Sequence, residues 1–355
     1  MNKYTDSLDI TKKQYFSILS PEFPSWLHDY IETPEMQRLS GISMLCGTDY
    51  SKLFNYKSSN NTLDHSIGVA LIVWNFTKDK KQTLAGLFHD IATPVFKHCI
   101  DFMNGDTEHQ ESTEEMTEEI IRNSKTIMEL LNKDDIKVEE VCDYHIYPIA
   151  DNDSPRLSAD RFEYTFSNAM YLYGVWNLQD IKRYYSDISI LKNEDNVEEL
   201  GFNTLQICKD YFKDILPIFA NYDSDKNRTV MQFIADTIKS LHVKGLITIK
   251  DLYTKSEQEI IDYILSCEDQ YIIDSFKKFL NTTQLYAGET PNNSHYCISI
   301  KAKRRYIVPL VKFKNQHIRI NNVDNDSSRL LIDFKNIKRS TYTGFYFDFK
   351  PYQYQ

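Results

Sequence analysis

The chain has 355 residues, of which 41% are hydrophobic and 26% charged, so it is long and apolar enough to bury a sizeable core and is not expected to be disordered. Its formal net charge of −10 at pH 7 argues against wholesale wrapping of nucleic acid, because such binding depends on Lys and Arg neutralising phosphates. The six cysteines include no C-x-x-C pair, the N-terminus has no apolar leader, and no stretch approaches the roughly 18 apolar residues of a membrane span. We therefore expect a cytoplasmic protein with neither a disulfide framework nor a membrane contact.

Residues 1–285 are expected to form a helical domain. Between Pro24 and Leu280 the apolar residues recur mostly at spacings of three and four, as in Leu84, Leu87 and Ile91. Turn signals such as Asn104-Gly105 interrupt this pattern, but none is long enough to be a linker between domains. This part of the chain is predicted to be a helical bundle, so the fold class is mainly α.

The composition changes near residues 287–291, which read as a turn containing Gly288 and Pro291. Beyond it, residues 296–300, 306–311 and 345–347 are rich in aromatic and β-branched side chains, which is typical of short strands. The pattern predicts a small, basic, β-rich C-terminal module over residues 286–355.

Charge is divided unevenly along the chain. Residues 101–143 contain 14 Asp and Glu against 4 Lys and Arg, whereas residues 301–339 contain 11 Lys and Arg against 3 Asp. Two interpretations remain open. Either two solvated faces attract each other in a domain interface or a homo-oligomer, which we expect, or the basic segment reaches polyphosphate or a nucleic acid. The second interpretation would use Lys301, Lys303, Arg304 and Arg305.

Five of the nine histidines lie between positions 65 and 145. A single histidine on an apolar helix is usually a hydrogen-bonded core residue, but here the pair His89-Asp90 ends an apolar helix and Thr93-Pro94 disfavours its continuation. Neighbouring side chains could converge on one ion at such a helix end. Imidazole and carboxylate ligands together suit Mn, Fe, Ni, Zn or Co, and Mg is also possible, so the sequence predicts one divalent metal ion of open identity.

The order of these residues resembles the HD-domain metal-dependent phosphohydrolases, whose motif is a His, a His-Asp pair and a distant Asp. Residues 33–39, 64–68, 85–90, 96–101, 108–110 and 158–164 look, in that order, like segments of the deoxynucleoside triphosphate triphosphohydrolase branch. The resemblance covers residues 31–175, and residues 299–306 are similar to a segment beyond the catalytic core of that branch. It implies an HD-domain helical bundle whose metal ion is held by His65, His89, Asp90 and Asp160.

The same resemblance implies that His98, Asp101 and His109 lie beside the scissile phosphate. Asp101 would hold one histidine in its useful tautomer, while the histidines position the phosphate, donate a proton to the leaving oxygen or deliver the nucleophile. Which histidine does which stays open, and the plainer alternative is that His98 and His109 cap local loops. We expect the loop at residues 104–107 to bring His109 over the site, with Glu108 and Gln110 facing elsewhere.

Asp160, Tyr164 and Asn168 are each four residues apart, so on a helix their side chains lie close to one face. The resemblance implies that Tyr164 and Asn168 contact a sugar, although Tyr164 could equally be an ordinary buried aromatic residue. It also implies that Arg161 keeps a positive charge near the phosphates. From the segment at residues 33–39 we further predict that Gln37 and Arg38 contact the substrate.

Several positions depart from the pattern of that branch. Thr62 stands where the branch has a phosphate-binding Arg, Thr93 replaces a histidine, and Met44 replaces a Gln that lies on the sugar. Glu32 and Ser40 occupy the positions that nucleotide-regulated members use, which puts that regulation in doubt. The metal ligands are kept while the groups that recognise sugar and phosphate change, so a changed substrate is expected.

Three functions follow from these observations. The first is hydrolysis of a nucleotide, foremost a deoxynucleoside triphosphate cut to nucleoside and triphosphate. The alternative is an HD phosphatase or phosphodiesterase acting on another phosphoester, such as a nucleoside monophosphate, a cyclic nucleotide or a nucleic-acid end. A third possibility is a nucleotide-binding or nucleic-acid-binding module that keeps the metal but turns over little.

Overall fold

The computed structural model describes residues 3–58, 60–110, 112–113 and 116–352. Within these ranges the chain is mostly helical. The helices are α1 Tyr4–Ser7, α2 Ile10–Leu19, α3 Leu27–Ile31, α4 Pro34–Arg38, α5 Thr62–Thr77, α6 Lys80–Phe88, α7 His98–Met103, α8 Thr117–Asn123, α9 Lys125–Lys133, α10 Ala159–Ser167, α11 Leu178–Tyr185, α12 Leu205–Tyr222, α13 Asp225–Val243, α14 Ile249–Thr254, α15 Glu257–Ser266, α16 Gln270–Asn281, α17 Ile320–Val323 and α18 Asn325–Lys335. None of the described helices has the length and apolar character that a membrane crossing requires.

The strands are β1 Ile188–Lys192, β2 Glu198–Phe202, β3 Tyr286–Gly288, β4 Cys297–Ile298, β5 Leu310–Phe313, β6 Gln316–Arg319 and β7 Tyr342–Gly344. They form a four-stranded sheet of order β1-β2-β5-β6 and a three-stranded sheet of order β3-β7-β4. Every pairing is antiparallel except that of β2 with β5, which is parallel. The prediction of a mainly helical fold with a small C-terminal sheet region is confirmed.

Helix α5 lies at the centre of the bundle. It begins at Asn61, whose side chain accepts a hydrogen bond from the Asp64 amide at 2.8 Å, a helix-capping contact. From Thr62 to Val73 every residue of α5 is buried, since α2, α6 and α10 all pack against it. A helix that is apolar on all sides belongs in the interior of a protein, which is where α5 lies.

The hairpin of β1 and β2 was not expected, because we predicted helices throughout residues 24–280. Strand β1 pairs with β2, its neighbour in the chain. Strand β2 also pairs with β5, in which Leu310, more than a hundred positions later, lies opposite Gly201. The sheet therefore joins residues 188–202 to residues 310–319. Residues 286–355 also include two helices, α17 and α18, and the latter packs on α12.

Two hydrophobic cores hold the fold together. The first gathers α2, α3, α5, α6 and α9 to α12, together with Val311 of β5 and Phe334 of α18. The second gathers α7 and α13 to α16, together with Tyr296, Phe345 and Phe349 of the C-terminal segment. The C-terminal segment thus contributes to both cores. A cleft is lined both by Tyr164, which packs against the first core, and by Met231 of the second core.

Candidate metal centre

His65 lies in the first turn of α5 and is buried. Its Nδ1 contacts Oε2 of Glu163, a fully buried carboxylate on α10, and the other Glu163 oxygen accepts a hydrogen bond of 2.9 Å from the Tyr15 hydroxyl. The Nδ1 proton of His65 therefore goes to Glu163. This leaves the Nε2 lone pair of His65 facing the cleft, the arrangement in which a carboxylate fixes the tautomer of a metal-binding histidine.

His89 is the residue that follows α6. Its Nδ1 donates to the carbonyl oxygen of Gly86 at 2.8 Å, and its ring packs against the ring of Tyr144 with centroids 5.2 Å apart. The proton of the neutral ring thus lies on Nδ1. The Nε2 lone pair of His89 also faces the cleft.

Three ligand atoms, those of His65, His89 and Asp160, lie within 4.8 Å of one another where these two rings meet, and Asp90 lies beside them. The two Nε2 atoms lie 3.1 Å apart, and Asp160 Oδ1 lies 3.1 Å from that of His65 and 3.7 Å from that of His89. Asp90 Oδ2 lies 3.9 and 3.7 Å from the same two nitrogens. Two imidazole nitrogens and the Asp160 oxygen lie at separations that suit ligands of one cation, and without an ion a proton on His65 takes its place. The donor set therefore fits one divalent metal ion.

The electrostatics of the site agree with this geometry. Burial disfavours an imidazolium, yet Glu163 and Asp160 raise the pKa of His65 to about 10. Burial likewise opposes ionisation of Asp90, but the positive charge of Lys97 holds the pKa of that carboxyl far below its usual range. The site thus favours a positive charge, which a bound metal ion supplies.

His98 and Asp101 lie on α7, beside the metal centre. The Nδ1 of His98 is 3.0 Å from Oδ2 of the buried Asp101, and its Nε2 is 3.2 Å from Nη2 of Arg305. Because a guanidinium can only donate, His98 Nε2 accepts and His98 Nδ1 donates to Asp101. Arg305 also donates to Oε1 of Gln110 at 3.0 Å.

The structure does not bring His109 to the site. Its side chain is 82% exposed and its Nδ1 lies 3.6 Å from Asp106. Gln110, which we expected to face away, is the residue of this loop that lines the cleft. The backbone of Gln110 has a φ of +59°, in the left-handed region, and this conformation separates the directions of the two side chains.

Among the predicted substrate residues, Tyr164 and Asn168 line the cleft, whereas Gln37, Arg38 and Arg161 do not. The Nε2 of Gln37 donates to the carbonyl of Ile31 at 2.8 Å. Arg38 donates to the carbonyls of Ile91 and Thr93, and Arg161 pairs with Asp151 at 3.0 Å and bonds Asn152. Arg38 thus satisfies backbone carbonyls, and Arg161 satisfies a buried carboxylate, in loops next to the metal ligands, because buried acceptors require hydrogen-bond donors.

Asn168 begins a short π-helix, Asn168–Leu172, which continues α10. Its Nδ2 donates to the Tyr222 hydroxyl at 2.7 Å, while its buried Oδ1 has no hydrogen-bond partner among the described residues. The rings of Tyr56 and Tyr173 line the same side of the cleft. π-Helical turns recur at functional sites, and this one carries a buried, unsatisfied acceptor on a residue that lines the cleft.

Sequence reasoning missed Lys97, Gln110 and Glu163. The position of Glu163 could have been predicted, since it follows Asp160 by three residues on the same helix face, where a carboxylate can hydrogen-bond to a neighbouring metal ligand. The positions of Lys97 and Gln110 could not, because their directions depend on backbone conformations that are uncommon for residues other than glycine.

Residues 62–163 match the HD domain family. The chain is 24% identical over 301 residues to the uncharacterized protein YdhJ of Bacillus subtilis, a match that covers 84% of this chain and 87% of that protein. It is also 24% identical over 162 residues to the metal-dependent phosphohydrolase cns2 of Cordyceps militaris, over 46% of this chain and 45% of that protein.

Two solved structures share the fold. A hypothetical protein from Aquifex aeolicus superposes with a TM-score of 0.62 at 15% identity, covering 91% of this chain and 92% of the other. A phosphohydrolase from Bacteroides thetaiotaomicron superposes with a TM-score of 0.63 at 13% identity, covering 91% of this chain and 96% of the other. Together these matches support the HD superfamily, and the triphosphohydrolase branch stays a prediction.

Proposed function

From the HD domain at residues 62–163 and the metal centre it carries, we propose that this protein is a metal-dependent phosphohydrolase. The observation that carries the proposal is the convergence of two imidazole nitrogens and the Asp160 carboxylate, with Asp90 beside them, in a cleft that Lys97 and Arg305 also line. The curated relative named as a metal-dependent phosphohydrolase supports the same reaction class.

A divalent ion held by His65, His89, Asp90 and Asp160 would polarise a phosphoryl oxygen and lower the pKa of a bound water. The chain supplies the rest of the chemistry. Burial lowers the pKa of His98, so its ring is neutral at pH 7, and its Nδ1 proton is directed at Asp101. The lone pair of Nε2 accepts from Arg305 in this structure, and once that guanidinium turns to a phosphate it suits acceptance of a proton from the attacking water better than donation to a leaving group.

We propose a nucleotide as the substrate. Tyr56, Tyr173 and Tyr222 offer aromatic faces for a base, while the buried Oδ1 of Asn168 and the hydroxyl of Tyr164 suit the hydroxyl groups of a sugar. The phosphates would then lie toward Lys97, His98 and Arg305. A deoxynucleoside triphosphate cut to nucleoside and triphosphate is the first candidate.

A nucleoside monophosphate or another phosphomonoester is the second candidate, and the charge of the cleft favours it. Two cations expected at the phosphates are missing, because Thr62 replaces one and Arg161 turns to Asp151. Among the described residues, the Lys and Arg side chains that line the cleft are Lys97, Lys303 and Arg305. Fewer cations neutralise fewer phosphate charges.

The test is to incubate the full chain, loaded with Mn²⁺, with a panel of nucleoside mono-, di- and triphosphates and cyclic nucleotides, and to resolve the products by chromatography. Release of triphosphate supports the first candidate and release of inorganic phosphate the second. Asp90→Ala should abolish turnover, because a charged metal ligand is lost. Asp153→Ala is the matched control, since that side chain is 93% exposed. A panel without any turnover would contradict the proposed function.

Cytoplasmic location, assembly into a homo-oligomer and contact with nucleic acid remain predictions. Three arginines of the basic C-terminal segment form ion pairs within the chain. Arg304 and Arg339 both pair with Asp223, and Arg319 pairs with Glu194 and Glu199. These pairs support a structural role for the three arginines, while Lys303 and Arg305 of the same segment line the cleft.

A further inference from the structure

Lys97 is a buried lysine at the metal centre. Its ammonium lies 2.7 Å from Asp90 Oδ2 and 3.5 Å from the sulfur of Met44, and its side chain is 8% exposed. We propose that Lys97 is the phosphoryl-binding cation of the site, which holds a non-bridging oxygen of the substrate's phosphate beside the metal ion. This inference rests on the proposed function and assigns the residue that recognises its substrate class.

The position of the ammonium is the first argument. Asp90 Oδ2, the oxygen that Lys97 contacts, is the same oxygen that faces the Nε2 atoms of His65 and His89. A phosphate oxygen bound to an ion at that point would lie within hydrogen-bond reach of the ammonium. An ammonium has three donors, and Asp90 and Met44 are the two acceptors that the described residues offer it. The third donor is left for a ligand.

The backbone that carries Lys97 is the second argument. Phe96 and Lys97 have φ values of +59° and +46°, which are unfavourable for side chains of their size. The surrounding structure enforces this turn. The Phe96 amide donates to Oε1 of the buried Glu257 at 3.1 Å, and the Val95 amide donates to the carbonyl of Leu252 at 2.8 Å. Two consecutive residues in unfavourable conformations direct one lysine at a metal ligand.

A purely structural ion pair is the competing explanation, and the chain contains one for comparison. Lys12 pairs with Asp64, which is buried and adjacent to His65, but neither residue lines the cleft. Lys97 does line it. Thr62, where a phosphate-binding cation was expected, donates its hydroxyl to the buried carbonyl of Ile42 at 3.1 Å. Lys97 supplies the charge that Thr62 lacks.

The experiment compares full-length Lys97→Met with the wild type by isothermal titration, first with Mn²⁺ and then with inorganic phosphate added to the Mn²⁺-loaded protein. Phosphate should bind about 10–100-fold more weakly, because one charge-assisted hydrogen bond is lost. Mn²⁺ should bind at least about tenfold more tightly, because a positive charge next to the ion is removed. Lys97→Arg should retain most of the phosphate affinity.

Lys12→Met is the matched control, since it removes the ammonium of another ion pair with a buried carboxylate, outside the cleft, and should leave both affinities unchanged. Lys97→Gln provides the same comparison as Lys97→Met if the latter does not fold. Unchanged phosphate affinity in the Lys97 variants, or an equal loss in Lys12→Met, would overturn the inference. Failure of the proposed function is a separate result, because it would appear as absent turnover in the wild type, whatever the two titrations show.

Discussion

From the sequence we expected both His98 and His109 to lie beside the scissile phosphate, but the two residues lie in different surroundings. His98 is held between Asp101 and Arg305 beside the metal centre, whereas His109 is exposed to solvent. His65, His89 and Asp160, whose ligand atoms converge, were predicted from the order of residues in the HD motif rather than from the His-Asp pair alone. The sequence could not predict the direction of His109, which depends on a left-handed backbone at its neighbour Gln110.

The surroundings of the two histidines predict opposite effects on catalysis. His98→Gln should lower kcat by about 10²–10⁴-fold, the usual worth of a positioned proton acceptor, with metal content unchanged. His109→Gln should leave kcat within about twofold. Because burial, aided by Arg305, lowers the pKa of His98, the wild-type rate should stay constant down to below pH 6.5 and fall only when His98 becomes protonated. Single-turnover rates and metal analysis on the same preparations check this. A large loss in His109→Gln alone would contradict it.

The turn between α6 and α7 shows how one element positions another. Glu257, the first residue of α15, accepts the Phe96 amide at 3.1 Å and the Tyr50 hydroxyl at 2.9 Å, so it supports the turn that carries Lys97. Sequence patterns predict helices such as α5, whose apolar residues are local. They do not predict contacts between residues 96 and 257, or the pairing of β2 with β5, because these depend on residues far apart in the chain.

Glu257 should make stability depend on pH. Burial, with the nearby charge of Asp49, raises the pKa of Glu257 from 4.5 to about 8 in the folded protein. Between those values the folded chain keeps a proton that the unfolded chain releases, so the free energy of unfolding falls as pH rises. Relative to the wild type, Glu257→Gln should gain stability between pH 5 and 8, by up to about 1.4 kcal/mol per pH unit.

Urea denaturation of both proteins at several pH values measures this difference. Subtracting the two free energies at each pH removes the contributions of the other titrating groups, which the two chains share. Tyr50→Phe is a useful control, because it removes a hydrogen bond to the same carboxyl without removing the carboxyl itself, so it should retain a pH dependence. A difference between Glu257→Gln and wild type that does not change with pH would contradict the assignment.

At the scale of the whole molecule, the cleft joins parts of the chain that are distant in sequence. The elements of the first core carry the metal ligands on α5, directly after α6 and on α10, the second core includes α7 with His98 and Asp101, and the C-terminal segment supplies Arg305. The acidic segment at residues 101–143 and the basic segment at residues 301–339 contact each other within the chain, since the Lys303 amide donates to the Thr107 carbonyl at 3.1 Å and Arg305 donates to Gln110, although neither contact is an ion pair. The C-terminal segment therefore completes the site.

The central claim is that His65, His89, Asp90 and Asp160 hold one catalytic metal ion. The most direct measurement is a crystal structure of the Mn²⁺-loaded full chain with anomalous data collected on both sides of the manganese absorption edge. The account predicts one strong anomalous peak at about 2.0–2.3 Å from His65 Nε2, His89 Nε2 and the two carboxylates, the range of metal bonds to nitrogen and oxygen. A loaded protein whose manganese peak lies elsewhere, with these four side chains unbonded, would contradict it.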